Sequence, residues 1–121
     1  MFCMKEILKS AFENEIQKGK TLFISGDFEN SFHHFERAHI LGQKFVVPHT
    51  ISHFWMLKIG IKTKNLKEVI GQLIRIPAGI IGSSIGVVPI GNTGGSNVSA
   101  TIEMEIPADL LEIIEQKKDS L

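Results

Sequence analysis

Apolar residues return every three or four positions through most of this chain. The rhythm stops only at glycines, prolines and one run of small polar residues. The spacing predicts a first helix from Met4 to Ile24, with Met4, Ile7, Leu8, Ala11, Phe12, Ile16, Leu22 and Phe23 on its inner face. Gly26 ends it, and Asp27 is placed to cap the next helix by accepting a backbone N–H bond. The second helix covers Phe28 to Leu41, with Phe28, Phe32, Phe35, Ala38 and Leu41 as its stripe and Gly42 as a left-handed terminator. Pro48 suits the start of a third helix, where its missing N–H is no loss, and the pattern carries that helix to Ile61. Asn65 and Glu68 resemble a capping box for a fourth helix. Leu66, Val69, Ile70, Leu73 and Ile74 are its expected core side, and Pro77 is expected to kink or break it.

Beyond Pro77 the texture changes. Gly79, Gly82 and Gly86 recur at spacings of three and four, which on a helix bares the backbone for close packing. Val87 to Ala100 reads as a loop around the run Gly91-Asn92-Thr93-Gly94-Gly95-Ser96-Asn97. Thr101 to Ile106 alternates apolar and acidic residues, the period of a short strand, with Val87–Ile90 or a second subunit as its partner. Pro107 and Asp109 open a last helix carrying Leu110, Leu111, Ile113 and Ile114. The expected fold class is mainly α, with about four to five helices in antiparallel hairpins, then a C-terminal Gly-rich loop and one short strand. A single domain is expected over residues 1–121, with a helical-hairpin core at 4–76 and the glycine-rich helix, loop, strand and last helix at 77–121.

Composition narrows the function classes. A chain of 121 residues, 43% hydrophobic and 21% charged, can bury a core without disulfides. Thirteen basic residues balance thirteen acidic ones, so the basic excess that broad nucleic-acid or anionic-membrane binding needs is missing. Lys62, Lys64, Lys67 and Arg75 read as a solvated turn and helix face, and carboxylates such as Glu13 and Glu15 as solvated too. The most apolar segment, Ile76 to Ile90, is shorter than the roughly 20 residues that span a bilayer, and Pro77 and Pro89 interrupt it, so no stable membrane insertion is expected. Cys3 is the single cysteine, and the N-terminus lacks the basic start and apolar stretch of a signal peptide. A reducing, cytoplasmic location is expected.

Two resemblances add to this reading. Residues 26–41, GDFENSFHHFERAHIL, resemble the second helix of a tetratricopeptide repeat. Gly26-Asp27 makes the turn, Phe28 and Phe35 take the aromatic positions, Ala38 takes the small one, and Gly19 and Leu22 fit the helix before. Asn65-Leu66 answers Asp27-Phe28 38 residues later, against about 34 for the standard repeat. The resemblance implies helical hairpins that hold a protein partner or a second copy. A longer likeness, from about residue 10 to 110, rests on four segments in order: FERAHILGQ, PHTISHFWML, GQLIRI and VPIGNTGGSNVSA. Together they resemble a family of small bacterial proteins known only as a domain of unknown function. It implies a bacterial cytoplasmic protein and carries no chemistry.

The chemistry-bearing residues are the histidines, since His33, His34, His39, His49 and His53 all fall within one stretch of the chain. His49 and His53 are four apart and project about 40° from one another on one helix face, a spacing that presents two imidazoles to one ion. If the second and third helices form a hairpin, His39 lies level with His49, and His34 with His53. His34 and His39 diverge by about 140°, so they are not expected to share an ion. The candidate metal set is His39, His49 and His53, with His34 or Glu36 assisting, and imidazole ligands suit zinc, nickel, copper or cobalt. Glu36-Arg37-Ala38-His39 also spells the Glu-x-x-His element of di-iron bundles, but the second copy those bundles need is missing. The plainer alternative is that each histidine is half-buried and hydrogen-bonded across the hairpin, with His33 facing solvent.

Gly91, Asn92, Thr93, Gly94 and Gly95 offer backbone N–H groups that could cradle an anion, although tight local turns are the simpler reading. Three functions follow. The leading one is a helical binding module for a protein partner or a second copy. The next is a transition-metal-binding protein built on the histidine cluster. The third is an acid–base enzyme, which needs a pocket joining the histidines to the glycine loop.

Overall fold

The computed structural model describes residues 4–116, so Cys3 lies outside the described residues. Five helices follow one another: α1 (Glu6–Ser25), α2 (Phe28–Gly42), α3 (Val46–Lys62), α4 (Leu66–Ile85) and α5 (Ala108–Glu115). The links between the first four are short, so each helix folds back on the one before, and α1 packs on α2, α2 on α3 and α3 on α4. The result is a hairpin bundle, with α5 laid across α1 and α2.

The caps follow the chemistry of the residues at the turns. Gly26 is left-handed at φ 87° and closes α1 by donating to Leu22 and Phe23, while the Asp27 carboxylate accepts the Asn30 N–H and starts α2. The Asn65 side chain accepts the Glu68 N–H and starts α4. The reciprocal half of a capping box is missing, because the Glu68 carboxylate accepts from Ser96 and Gln72 instead. Gly42 lies inside α2 rather than ending it left-handed. Its bare Cα makes room for Pro48 and Phe12.

Two apolar clusters hold the bundle. Leu8, Phe12, Ala38, Ile40, Leu41 and Leu110 form one, which joins α1, α2 and α5. Phe35, Met56 and Ile59 form the other, ringed by Phe23, Phe28 and Trp55. Phe35 is fully buried, stacks on Trp55 with ring centroids 5.2 Å apart, and lies against the bare Cα of Gly19. Glu15 is buried rather than solvated, because His34 (2.7 Å) and Arg37 (3.0 Å) hold its carboxylate between α1 and α2.

Three expectations are corrected. No strand exists among the described residues. Thr101–Ile106 makes a single backbone bond to the segment proposed as its partner, from Met104 N to Ile90 O, and one bond is no ladder. Residues 87–107 instead form turns, bends and irregular chain. Pro77 neither breaks nor ends α4, which runs on to Ile85. The proline sits on the solvent face, where water can take up the lost hydrogen bond. The third correction concerns which side of α4 is inside. Leu66, Ile70, Leu73 and Ile74 are exposed by 50% or more, while Glu68, Gln72 and Ser83 are buried.

Removing the aromatic keystone should show its weight. Phe35→Ala is expected to cost ~3–5 kcal/mol of unfolding free energy, because the cavity lies between two helices that cannot both collapse into it. Urea denaturation followed by Trp55 fluorescence measures it, and a loss below about 1 kcal/mol would contradict this packing.

Candidate metal centre

The buried polar face of α4 exists because three imidazoles lie against it. His39 comes from α2 and His49 and His53 come from α3; all three are buried at 4% exposure or less. Their Nε2 atoms form a nearly equilateral triangle, with 39–49 at 3.0 Å, 39–53 at 3.1 Å and 49–53 at 3.1 Å. No other group of three histidine, cysteine or acidic side chains converges in this way among the described residues.

The outer nitrogens decide what the inner ones can do. His39 Nδ1 lies 2.8 Å from the Asn92 carbonyl oxygen, which can only accept, so Nδ1 carries the proton. His53 Nδ1 lies 2.7 Å from Gln72 Oε1. The amide nitrogen of Gln72 donates to Glu68 Oε2 (2.7 Å) and to the Gly94 carbonyl (2.9 Å), which fixes Oε1 as the end facing the ring. His49 Nδ1 lies 2.6 Å from Ser83 Oγ, whose own proton goes to the Gln43 carbonyl at 2.7 Å. Ser83 therefore accepts from His49. All three rings are thus Nδ1–H tautomers, and three Nε2 lone pairs point into one small space with no hydrogen between them.

Close backbone approach makes this possible. Gly94, at φ 90°, presses against the His39 ring, where a Cβ would sit 2.6 Å from Cδ2. On α4, a Cβ at Gly79 would come 3.0 Å from the His49 ring. Gln43 ties the loop down through the Gly91 N–H (2.8 Å) and the Pro89 carbonyl (3.1 Å).

Electrostatics keeps the rings uncharged. Burial, reinforced by the neighbouring imidazoles, holds His39 well below the usual histidine range. Burial and the His53 ring push His49 down to about 3. Burial, with a smaller push from the Arg75 guanidinium, lowers His53 to about 4 against a hydrogen bond donated to Gln72 Oε1 that acts the other way. Glu36 moves in the opposite direction, to about 7, through burial and then the Glu68 carboxylate.

Of the sequence-derived candidates, the structure brings together His39, His49 and His53. It does not bring in His34, which pairs with Glu15 on the far side of α2, nor Glu36, which sits near His33 and Glu68. His33 is exposed, as expected. Three of the five amides in the Gly91–Gly95 loop, those of Gly91, Asn92 and Gly94, are engaged within the protein. Gly91 N binds Gln43, Gly94 N binds Asn92 Oδ1, and the Asn92 and Gly94 carbonyls serve His39 and Gln72. The loop does join the histidines at one small cavity. Sequence reasoning missed Gln72, Ser83, Gln43 and Asn92 as the partners of the rings. The signal was there, since Glu68, Gln72, Gly79 and Ser83 form a polar and small stripe at helical spacing.

Fold and site together define a helical-hairpin domain with a buried, fully oriented three-histidine centre. The chain belongs to the family described as "Protein of unknown function (DUF3703)", whose model matches residues 6–114. No curated protein and no solved structure matches it. Among the described residues, no helix is long and apolar enough to cross a membrane.

The shifted groups predict how the metal-free protein responds to pH. In the folded state His39, His49 and His53 bind protons only far below the usual 6.5 or so of an unfolded histidine, so at these three positions the unfolded chain holds more protons in between. Stability present above about pH 6.5 is therefore lost as pH falls toward 4, by up to about 1.4 kcal/mol per pH unit for each histidine. Glu36 acts with opposite sign, because its folded carboxyl keeps a proton between about 7 and 4.5 that the unfolded one gives up. Urea denaturation at several pH values should show the net loss on acidification. Glu36→Gln should be more stable than wild type by about 1–2 kcal/mol at pH 8 and nearly equal to it at pH 5.

Proposed function

We propose that this domain is a transition-metal-binding protein that holds one ion on the Nε2 atoms of His39, His49 and His53. The observation that carries the reading is the commitment of every Nδ1 proton to an outer acceptor. Three lone pairs at about 3 Å repel unless a cation lies among them. Burial disfavours a shared proton there, whereas a divalent ion takes neutral imidazole as its ordinary ligand. With Nε2–ion bonds of about 2.0–2.1 Å, a triangle of this size seats the ion about 1 Å off its plane. One side of the ion stays open. Three protein ligands and an open position suit a catalytic, sensing or transport site better than a closed structural one. Zinc, nickel, copper and cobalt fit the donor set, and a cytoplasmic location is part of the same reading.

The outer partners support this reading further. Metal-bound histidines characteristically donate their second nitrogen to a carbonyl, carboxylate or similar acceptor, and here all three do. Protein purified without a histidine tag should bind one zinc, nickel or cobalt ion per chain in calorimetric titration. His49→Ala should weaken binding by about a hundredfold or more, and Gln72→Leu by about 10–100-fold. Equal, weak binding by wild type and a His49→Ala/His53→Ala double variant would defeat the proposal.

A second reading, compatible with the first, is self-association. The outer face of α4 carries Leu66, Ile70, Leu73, Ile74, Ile81 and Ile85, all at least 50% exposed and spaced like a helix-packing stripe. We propose a second copy of the chain as the partner. Sedimentation should give a dimer for the wild type and a monomer for Ile70→Glu/Ile74→Glu; a wild-type monomer at high protein concentration would exclude it.

A further inference from the structure

Beside the triad lies a cavity of about 80 Å³, and the three histidines share its lining with Arg75. Arg75 reaches it from α4. Its Nη1 donates to the Gly71 carbonyl at 3.3 Å and its Nη2 to the Val98 carbonyl at 2.8 Å. Its Nε–H is shut off from solvent and has no acceptor among the described residues. No carboxylate lies within 4.0 Å of the guanidinium among those residues. A buried guanidinium N–H without a partner is costly, and the side chain that carries it lines the same cavity as a cluster of metal-ligand type, which makes that side chain a candidate for ligand recognition.

We infer that the cavity is the seat of a small oxyanion of the carboxylate or carbonate type, bound at once to the open position of the ion and to the Arg75 guanidinium that lines it. The inference rests on the metal reading of the triad. Charge balance supports it. The imidazoles are neutral ligands, so a divalent ion and Arg75 bring three positive charges to a buried place. The nearby acids bring at most two negative charges: Glu68, whose oxygens already accept from Gln72 and from the Ser96 N–H and hydroxyl, and Glu36 beside it, whose carboxyl burial pushes up to about 7, so positive charge is left over. An uncompensated buried charge is strongly disfavoured, so the site calls for an anion from outside.

Size and shape set the class. A cavity of this volume takes a few waters or a small anion. Ala78, Gly79, Gly82, Val88 and Pro89 wall it with small or apolar groups, which favours a small anion over one that carries a ring or a second charge. A halide offers a single atom to both the ion and the guanidinium. An oxyanion offers one oxygen to the metal and another to the guanidinium, the pairing in which a charge-assisted hydrogen bond is strongest.

Cobalt(II) makes this testable, because its visible absorption changes with the number and kind of its ligands. The full chain is loaded with one cobalt ion and titrated with sodium formate, bicarbonate, chloride or benzoate at constant ionic strength. Formate and bicarbonate should shift the visible bands in a saturable way, chloride much more weakly, and benzoate not at all. Arg75→Met should keep the cobalt bands and weaken formate binding by about tenfold or more. If no cobalt band appears in the wild type, the metal reading fails and this inference with it. If the band appears but formate leaves it unchanged, or if Arg75→Met binds formate as well as wild type, the anion seat alone is overturned. Should Arg75→Met fail to fold by circular dichroism, the size series on wild type decides, and benzoate binding as tightly as formate overturns the proposal.

Discussion

The structure turns on the fixing of three imidazole rings by acceptors behind them. Each ring is held at its Nδ1 by a group from another part of the chain: the loop carbonyl of Asn92, the α4 amide of Gln72 and the α4 hydroxyl of Ser83. Those acceptors are themselves held, by Glu68, Gly94 and the Gln43 carbonyl. A buried polar network is tolerable only when its members are satisfied, and the groups that orient these rings are satisfied, which leaves the three inner nitrogens open. Those three nitrogens meet at one point between α2, α3 and α4. A network built for stability alone would not gather three unpaired imidazole acceptors in a single place.

The peculiar orientation of α4 follows from this constraint. An amphipathic helix next to a core ordinarily turns its apolar stripe inward. Here the inward face must supply Gln72 and Ser83 and bring bare backbone at Gly79 to the His49 ring, so the larger aliphatic residues are left outside. Turning the helix over would bury Ile70, Leu73 and Ile74 but would strip two rings of their acceptors. Unpaired buried imidazole N–H groups would offset much of that gain, and the outer stripe is then free to serve as a contact surface.

The sequence was legible where local signals and the tertiary outcome agree. Asp27 and Asn65 cap the helices they were expected to cap, and Gly26 takes the expected left-handed turn. The meeting of His39 with His49 followed from counting along a hairpin, because short links leave two helices no other way to lie. His53 also joined His39, although it had been matched with His34. A histidine reaches across a groove, and the side of α2 that faces α3 carries His39 and not His34. Periodicity misled where function overrode it. The apolar stripe of α4 was real but pointed outward, and the alternation from Thr101 to Ile106 was real but had no strand to pair with. The roles of Gln72, Ser83 and Arg75 were hidden because each looks like an ordinary polar helix residue until the rings beside it are placed.

The same arrangement ties the proposed ion to the order of a long irregular segment. Residues 87–107 have no ladder and no helix of their own, and a segment of that length inside a compact domain needs an external reason to hold one shape. Much of that reason comes from the site: Asn92 receives His39, Gly94 receives Gln72, and Gln43 grips the chain at Pro89 and Gly91. An ion that pulls on the three Nε2 atoms makes each Nδ1–H a stronger donor, and so tightens the bonds that hold the loop. Binding free energy at the triad therefore becomes ordering free energy in the loop, which is the sense in which metal binding and folding are one equilibrium. Arg75 extends the coupling, since its Nη2 holds Val98 near the far end of the same segment. A ligand that engaged Arg75 and the ion together would thereby act on both ends of the loop at once.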